Sequence, residues 1–135
     1  MGNARSIINN KSNRKLCVLT FNEADLLYQY YTNFYSIDLG ESKEVHALSN
    51  PIGLKYGIII EVNVETREVT YQMWRASNYS ILNVTYMNGS DIYAEAEADG
   101  AYTFCVGKII ISDPKVFARI TASFQYESVL TRSHR

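Results

Sequence analysis

The chain reads as an all-β protein, an antiparallel β-sandwich of about eight or nine strands. Three observations lead there. Tyrosine is frequent, 11 residues in 135, beside many Val, Ile and Thr, and these residue types suit a pleated, half-buried surface. Turn signals recur about every eight to twelve residues, the spacing of short sandwich strands. Between them, several segments alternate apolar and polar residues, as strands with one buried face do.

Residues 1–14, MGNARSIINNKSNR, are polar and read as a flexible N-terminal arm. Their opening also fits the N-myristoylation pattern, with Gly2 exposed after Met removal and Ser6 at the favoured position, and leaves open whether Gly2 is acylated. The sandwich domain is expected over 15–127, followed by a flexible tail over 128–135. KLCVLTF (15–21) is the first expected strand. Residues 22–34 carry two signals. Asn22 suits a helix cap, with Leu26, Leu27, Tyr30, Tyr31 and Phe34 at helical spacing. Tyr30, Tyr31, Thr32, Phe34 and Tyr35 instead favour a strand, which is the preferred reading. FYSIDLG (34–40) continues it as a strand.

SNPIG (49–53) is a turn cluster. GIIIEVNV (57–64) puts Ile58, Ile60, Val62 and Val64 on one face, and REVTYQMW (67–74) answers with Val69, Tyr71 and Met73. The short link between them makes an antiparallel hairpin. YSILNVTY (79–86) and IYAEAEA (92–98) flank MNGSD, a turn centred on Asn88-Gly89. AYTFCVG (101–107) and KVFARITASFQY (115–126) are the last two expected strands. In AYTFCVG, alternation sends Tyr102, Phe104 and Val106 to the core and Cys105 to the other face. That separation of Tyr102 from Cys105 disfavours an immunoglobulin domain, whose corner tyrosine lies two residues before its cysteine.

Composition bounds the function classes. The length suits one domain, and 47% hydrophobic with 20% charged residues suits a globular core. A net charge of -1 gives no general attraction to nucleic acid or anionic membrane. No apolar run approaches the roughly 18 residues of a membrane span, and no segment reads as a signal peptide. No catalytic residue, cofactor or metal ligand is assigned. The two histidines, His46 and His134, lack a nucleophile partner, and Cys-x-x-Cys or His-x-x-x-His spacing is absent. Glu95 and Glu97 alternate with alanines and read as a solvated strand face.

ADGAYTFCVGK with SDPKVFARITASF resembles the C-terminal signature of GOLD (Golgi dynamics) domains. Asp99, Gly100, Tyr102, Phe104, Cys105, Lys115, Val116 and Phe117 carry the likeness, with a fainter echo in LLYQYYTNFYSIDLG. The resemblance implies a GOLD-like sandwich and a non-enzymatic protein-interaction module, in protein sorting or scaffold recruitment in the early secretory pathway. Its partners would be other proteins, cargo or adaptor, or further copies in a homo- or hetero-oligomer. The compartment stays open: luminal for an excised head domain, cytoplasmic for a full-length chain. The resemblance also implies a disulfide between Cys17 and Cys105, the alternative being two separate thiols.

Two further sets of residues draw attention. Tyr28, Tyr30, Tyr31 and Tyr35 form a candidate interaction face, for a protein or, in the competing reading of a carbohydrate-binding or cell-surface sandwich, for stacked sugars. Four Asn-x-Ser/Thr sequons occur, at Asn10, Asn78, Asn83 and Asn88. Asn88, in its turn, and Asn83, if solvent-facing, are the glycosylation candidates.

Overall fold

A computed structural model describes residues 5–22, 29–46, 54–76, 79–89, 91–97 and 101–133, without the side chains of 79, 102, 104 and 125–133. The described residues form nine strands and one helix, and the architecture is the expected β-sandwich. In chain order the strands are β1 (Arg5–Asn10), β2 (Leu16–Phe21), β3 (Tyr31–Ile37), β4 (Ser42–His46), β5 (Leu54–Asn63), β6 (Glu68–Ala76), β7 (Tyr79–Asn88), β8 (Asp91–Glu97) and β9 (Ala101–Ile110), and helix α1 spans Pro114–Ser133. One sheet has the order β4-β1-β7-β8, the other β3-β2-β5-β6-β9. All pairings are antiparallel except β1 with β7.

Two cores result. Between the sheets, Ile8, Val45, Leu82, Val84 and Met87 meet Val18, Tyr56, Ile58 and Trp74. On the outer face of the five-stranded sheet, Leu19, Phe21, Ile59, Tyr71 and Met73 pack with Ile120 of α1, and Val116, Phe117 and Phe124 add to them. The five-stranded sheet is therefore covered on both faces. This explains why β2 is an unbroken apolar-rich run, buried at all six positions, instead of an alternating one.

The N-terminal arm expected over 1–14 is corrected by β1, an interior strand between β4 and β7. Its composition hid it. The inward face is Ser6, Ile8 and Asn10, and its polar members are satisfied inside. Asn10 Nδ2 donates to the carbonyls of Arg14 and Ile37, both at 2.9 Å, and Asn10 Oδ1 accepts from the Ser12 amide at 3.0 Å.

The strand expected over 115–126 is corrected by α1. Asp113 Oδ1 accepts from the amides of Lys115 (2.9 Å) and Val116 (3.4 Å), and Pro114 opens the first turn. The apolar residues Val116, Phe117, Ile120 and Phe124 fall on one helical stripe, which the second core buries. Strand propensity of Val, Phe, Ile and Thr is overridden by that cap and that stripe. The helix runs to Ser133, so most of the tail expected over 128–135 is helical as well.

The β5–β6 hairpin stands as expected, with Val69, Tyr71 and Met73 on the helix-covered face. A bulge between Ile59 and Glu61 divides the face assigned to β5. Ile58 and Ile60 join the inter-sheet core, Val62 packs on the helix side, and Val64 is exposed in the turn. A second bulge, opposite Met73/Trp74, interrupts β9: Thr103 pairs with Trp74 and Cys105 with Met73, leaving Phe104 between them. Simple alternation over 101–107 fails there, and Val106, expected in the core, is 62% exposed. Within 22–34, residues 23–28 lie outside the described residues and Tyr31–Phe34 belong to β3. The turn expected over 49–53 also lies outside them.

Candidate functional site

The sandwich leaves three surfaces on which binding residues gather. The first is β3, an edge strand of the five-stranded sheet and home of the tyrosine cluster. Tyr28 lies outside the described residues, and Tyr30 is 74% exposed just before the strand. The bulge between Thr20 and Phe21 shifts the register so that Tyr31 and Tyr35 serve opposite faces. Tyr31 packs on the helix-side core, where burial and then the Asp113 charge push its phenol up. Tyr35 packs on the inter-sheet core, and its hydroxyl sits 3.3 Å from both the amide and the carbonyl of His46, capping the rim of β4. The three described tyrosines, Tyr30, Tyr31 and Tyr35, do not make one continuous exposed face.

The second surface is β9, the opposite edge of the same sheet. Val106 and Ile110, 62% and 61% exposed, flank Lys108 on one face of the strand. No described strand pairs with its outer edge. The sequence assigned Val106 to the core, because the bulge beside it leaves no mark in the alternation.

The third is the outer face of the four-stranded sheet, which no described element covers. A row of hydrogen bonds crosses it. The Ser42 hydroxyl donates to Asn9 Oδ1, Asn9 Nδ2 to Asn83 Oδ1 (2.8 Å), and Asn83 Nδ2 to Glu97 Oε1 (3.1 Å). Beside this row, Tyr86 of β7 stands directly opposite Tyr93 of β8, with ring centroids 5.7 Å apart at 45°. Both rings are about half exposed, at 48% and 51%. The sequence reading missed this pair although its signal was present. Asn88 pairs with Asp91 at the end of this hairpin, and counting outward from there pairs Tyr86 with Tyr93.

The two glycosylation candidates also lie on this face. Asn88 is exposed at the hairpin end, whereas the Asn83 amide is half-buried and engaged on both sides by the polar row.

Cys17 and Cys105 are both free thiols, and the expected disulfide is corrected. β5 and β6 separate β2 from β9 in the sheet. Three strand spacings put the two backbones roughly 14 Å apart, against a bridging limit of about 7 Å. Cys17 is buried, donates to the Ser123 hydroxyl at 3.7 Å, and has its thiol pushed up by burial; Cys105 is exposed.

A cleft of about 360 Å³ opens where β2 begins, beside the β3–β4 turn and α1. Its cations are already engaged within the protein. Lys15 pairs with Asp38 at 3.2 Å, Lys43 Nζ donates to the Ser36 carbonyl at 3.1 Å, and Arg119 stacks over Phe34 at 4.8 Å. Among the described residues no group of three or more His, Cys, Asp and Glu is placed to hold a metal ion, and no helix is long and apolar enough to cross a membrane. No family model, curated protein or solved structure matches the chain.

Proposed function

We propose that this domain is a non-enzymatic protein-interaction module that takes a partner strand onto an edge of its five-stranded sheet. The observation that carries the reading is β9. It is ten residues long, lies at a sheet edge, and presents Val106 and Ile110 to solvent. An edge strand with unpaired backbone groups is a template for strand addition, in which main-chain hydrogen bonds supply affinity and alternate side chains supply selectivity. The resemblance of 97–108 to GOLD domains supports a role in protein sorting or scaffold recruitment in the early secretory pathway, with cargo or adaptor proteins as partners. That support rests on residues 97–108 and the fainter echo in 26–40, because the segment matching the family's last strand is helical here.

The test is a set of extended peptides selected against the domain from a display library. Bound peptides should protect the amides of 101–110 from hydrogen exchange. Val106→Lys should weaken them about tenfold, roughly 1.4 kcal/mol, while leaving the unfolding midpoint in place. Peptides that protect none of 101–110 and bind Val106→Lys unchanged overturn the reading. Loss of binding in Tyr30→Ala instead would move the interface to the β3 edge.

A further inference from the structure

We propose that β9 selects its partner strand by charge: the strand it takes up runs antiparallel to it and carries an acidic residue between two apolar ones, in the pattern apolar-x-acidic-x-apolar, with the acid opposite Lys108. This inference rests on strand addition at β9 and names the partner that this edge fits.

Backbone register decides which residues a partner meets. The Ile111 amide donates to the Arg67 carbonyl at 3.0 Å, and Glu68 pairs with Ile110 beside that bond. In an antiparallel ladder, residues that bond toward one neighbour alternate with residues that bond toward the other side. Cys105, Gly107 and Ile109 therefore turn their N–H and carbonyl groups toward β6, while Val106, Lys108 and Ile110 turn theirs toward the open edge. The same three residues share one face of the strand, opposite Gln72, Thr70 and Glu68. An antiparallel partner thus exchanges paired main-chain bonds with Val106, Lys108 and Ile110 themselves. The partner residues that make those bonds carry their side chains on that same face.

The side chains then set the pattern. Val106 and Ile110 are 62% and 61% exposed, and each gains from an apolar neighbour across the new ladder. Lys108 lies exposed between them. Its direct neighbour on β6 is the neutral Thr70. Glu68 stands on the diagonal and Glu61 lies beyond Thr70 on β5, and neither closes an ion pair with Lys108. An acid directly opposite on an added strand would sit about 5 Å away between Cβ atoms, on the side of Lys108 that no described strand occupies.

Lys108 also disfavours a second copy of this chain as the occupant. The antiparallel pairing of two β9 edges that sets Val106 against Ile110 sets Lys108 against the same lysine of the second copy. Like charges directly opposite each other are destabilising. A strand with Lys or Arg at its centre meets the same repulsion, and a lysine in mid-edge discourages pairing with purely apolar strands. Selectivity therefore comes from rejecting wrong strands as well as from attracting the right one.

The experiment uses three short soluble peptides with the centres Val-Thr-Glu-Thr-Val, Val-Thr-Gln-Thr-Val and Val-Thr-Lys-Thr-Val. Each is titrated by fluorescence anisotropy into the native chain, Lys108→Gln and Lys108→Glu. The native chain should prefer the glutamate peptide to the lysine peptide by about fivefold to tenfold at low salt, and by less at high salt. Lys108→Gln should level the preference and Lys108→Glu should reverse it, with unfolding midpoints unchanged because position 108 is exposed. In hydrogen exchange, bound peptide should slow the amides of Val106, Lys108 and Ile110 most, since those of Gly107 and Ile109 already face β6. Peptides that slow those three amides but bind Lys108→Glu in the native order overturn the charge selection and leave strand addition standing. Peptides that slow none of them overturn both. A native chain that dimerises in analytical ultracentrifugation with the same three amides protected, and no peptide present, overturns the choice of occupant.

Discussion

The side chain of Tyr71 packs against Gly57, so closely that a Cβ at position 57 would stand 2.6 Å from Cδ1 and 2.8 Å from Cγ. The same side chain ends over Gly107, where a Cβ would stand 2.5 Å from the hydroxyl oxygen. One tyrosine thus spans β5, β6 and β9 beneath α1, and two glycines make room for it. Gly57→Ala meets the root of the side chain, which cannot swing away, and should cost about 1–3 kcal/mol as overpacking. Gly107→Ala meets the far end of the ring, which a tilt can relieve, and should cost less. Urea unfolding of the two variants checks the order, and a neutral Gly57→Ala contradicts the packing.

Helix α1 is required to close the second core, not an appendage to it. Ile120 is fully buried among β-strand residues. Ile120→Ala should cost about 2–5 kcal/mol. Asp113→Ala, which removes the acceptor for the Lys115 and Val116 amides, should cost about 0.5–2 kcal/mol. Both values come from denaturant midpoints. Loss of the far-ultraviolet helical signal on truncation before Pro114, with dye-binding exposure of the sheet, checks that the segment is helical.

How far the sequence revealed this arrangement depended on whether the informative signal was periodic. The β5–β6 hairpin was legible because Val69, Tyr71 and Met73 alternate and the link is short. β1 was not, since Ser6 and Asn10 are polar residues at inward positions, and only their internal hydrogen bonds make burial tolerable. α1 was legible in principle: Asp113-Pro114 is a cap and first-turn signature, and Val116, Phe117, Ile120 and Phe124 share a stripe. Residue-type propensity outweighed it. The bulges at Ile59/Glu61 and Met73/Trp74 each reverse the inward side with no change in composition, which misplaced Val62 and Val106. For the candidate surfaces, clustering along the chain favoured Tyr28 to Tyr35, whereas cross-strand register joins Tyr86 to Tyr93. Such a pair becomes visible only when a turn is used to count residues outward on both sides.

The two thiols should differ in reactivity. Cys105 is exposed, and Cys17 is buried with its thiol held protonated by desolvation. Alkylation of the native protein with iodoacetamide should modify Cys105 alone, and unfolding in denaturant should add Cys17. Non-reducing mass spectrometry should show no internal bridge. A Cys17–Cys105 link in native material contradicts the sheet order.

Buried acids that ionise late set the alkaline limit of stability. Burial raises the Cys17 thiol above its ordinary 9.0 and the Tyr56 phenol well above its ordinary 10.0. The unfolded chain releases these protons near 9.0 and 10.0, while the folded chain holds them to higher pH. Between the two conditions the folded state binds more protons, so stability falls as pH rises. It should be undiminished by these groups below pH 9.0 and should decline above it, more steeply past 10.0. The Tyr56 hydroxyl lies near Ser6 but makes no hydrogen bond of ordinary geometry. Tyr56→Phe therefore removes a buried polar atom that gains little from its surroundings. At neutral pH it should change stability by less than about 1 kcal/mol, in either direction. Above pH 10.0 it should flatten the decline, leaving the Cys17 contribution. Unfolding midpoints across the alkaline range measure both effects. A Tyr56→Phe variant that loses more than about 2 kcal/mol at neutral pH, or keeps the full alkaline slope, would show that the hydroxyl is well partnered in the core.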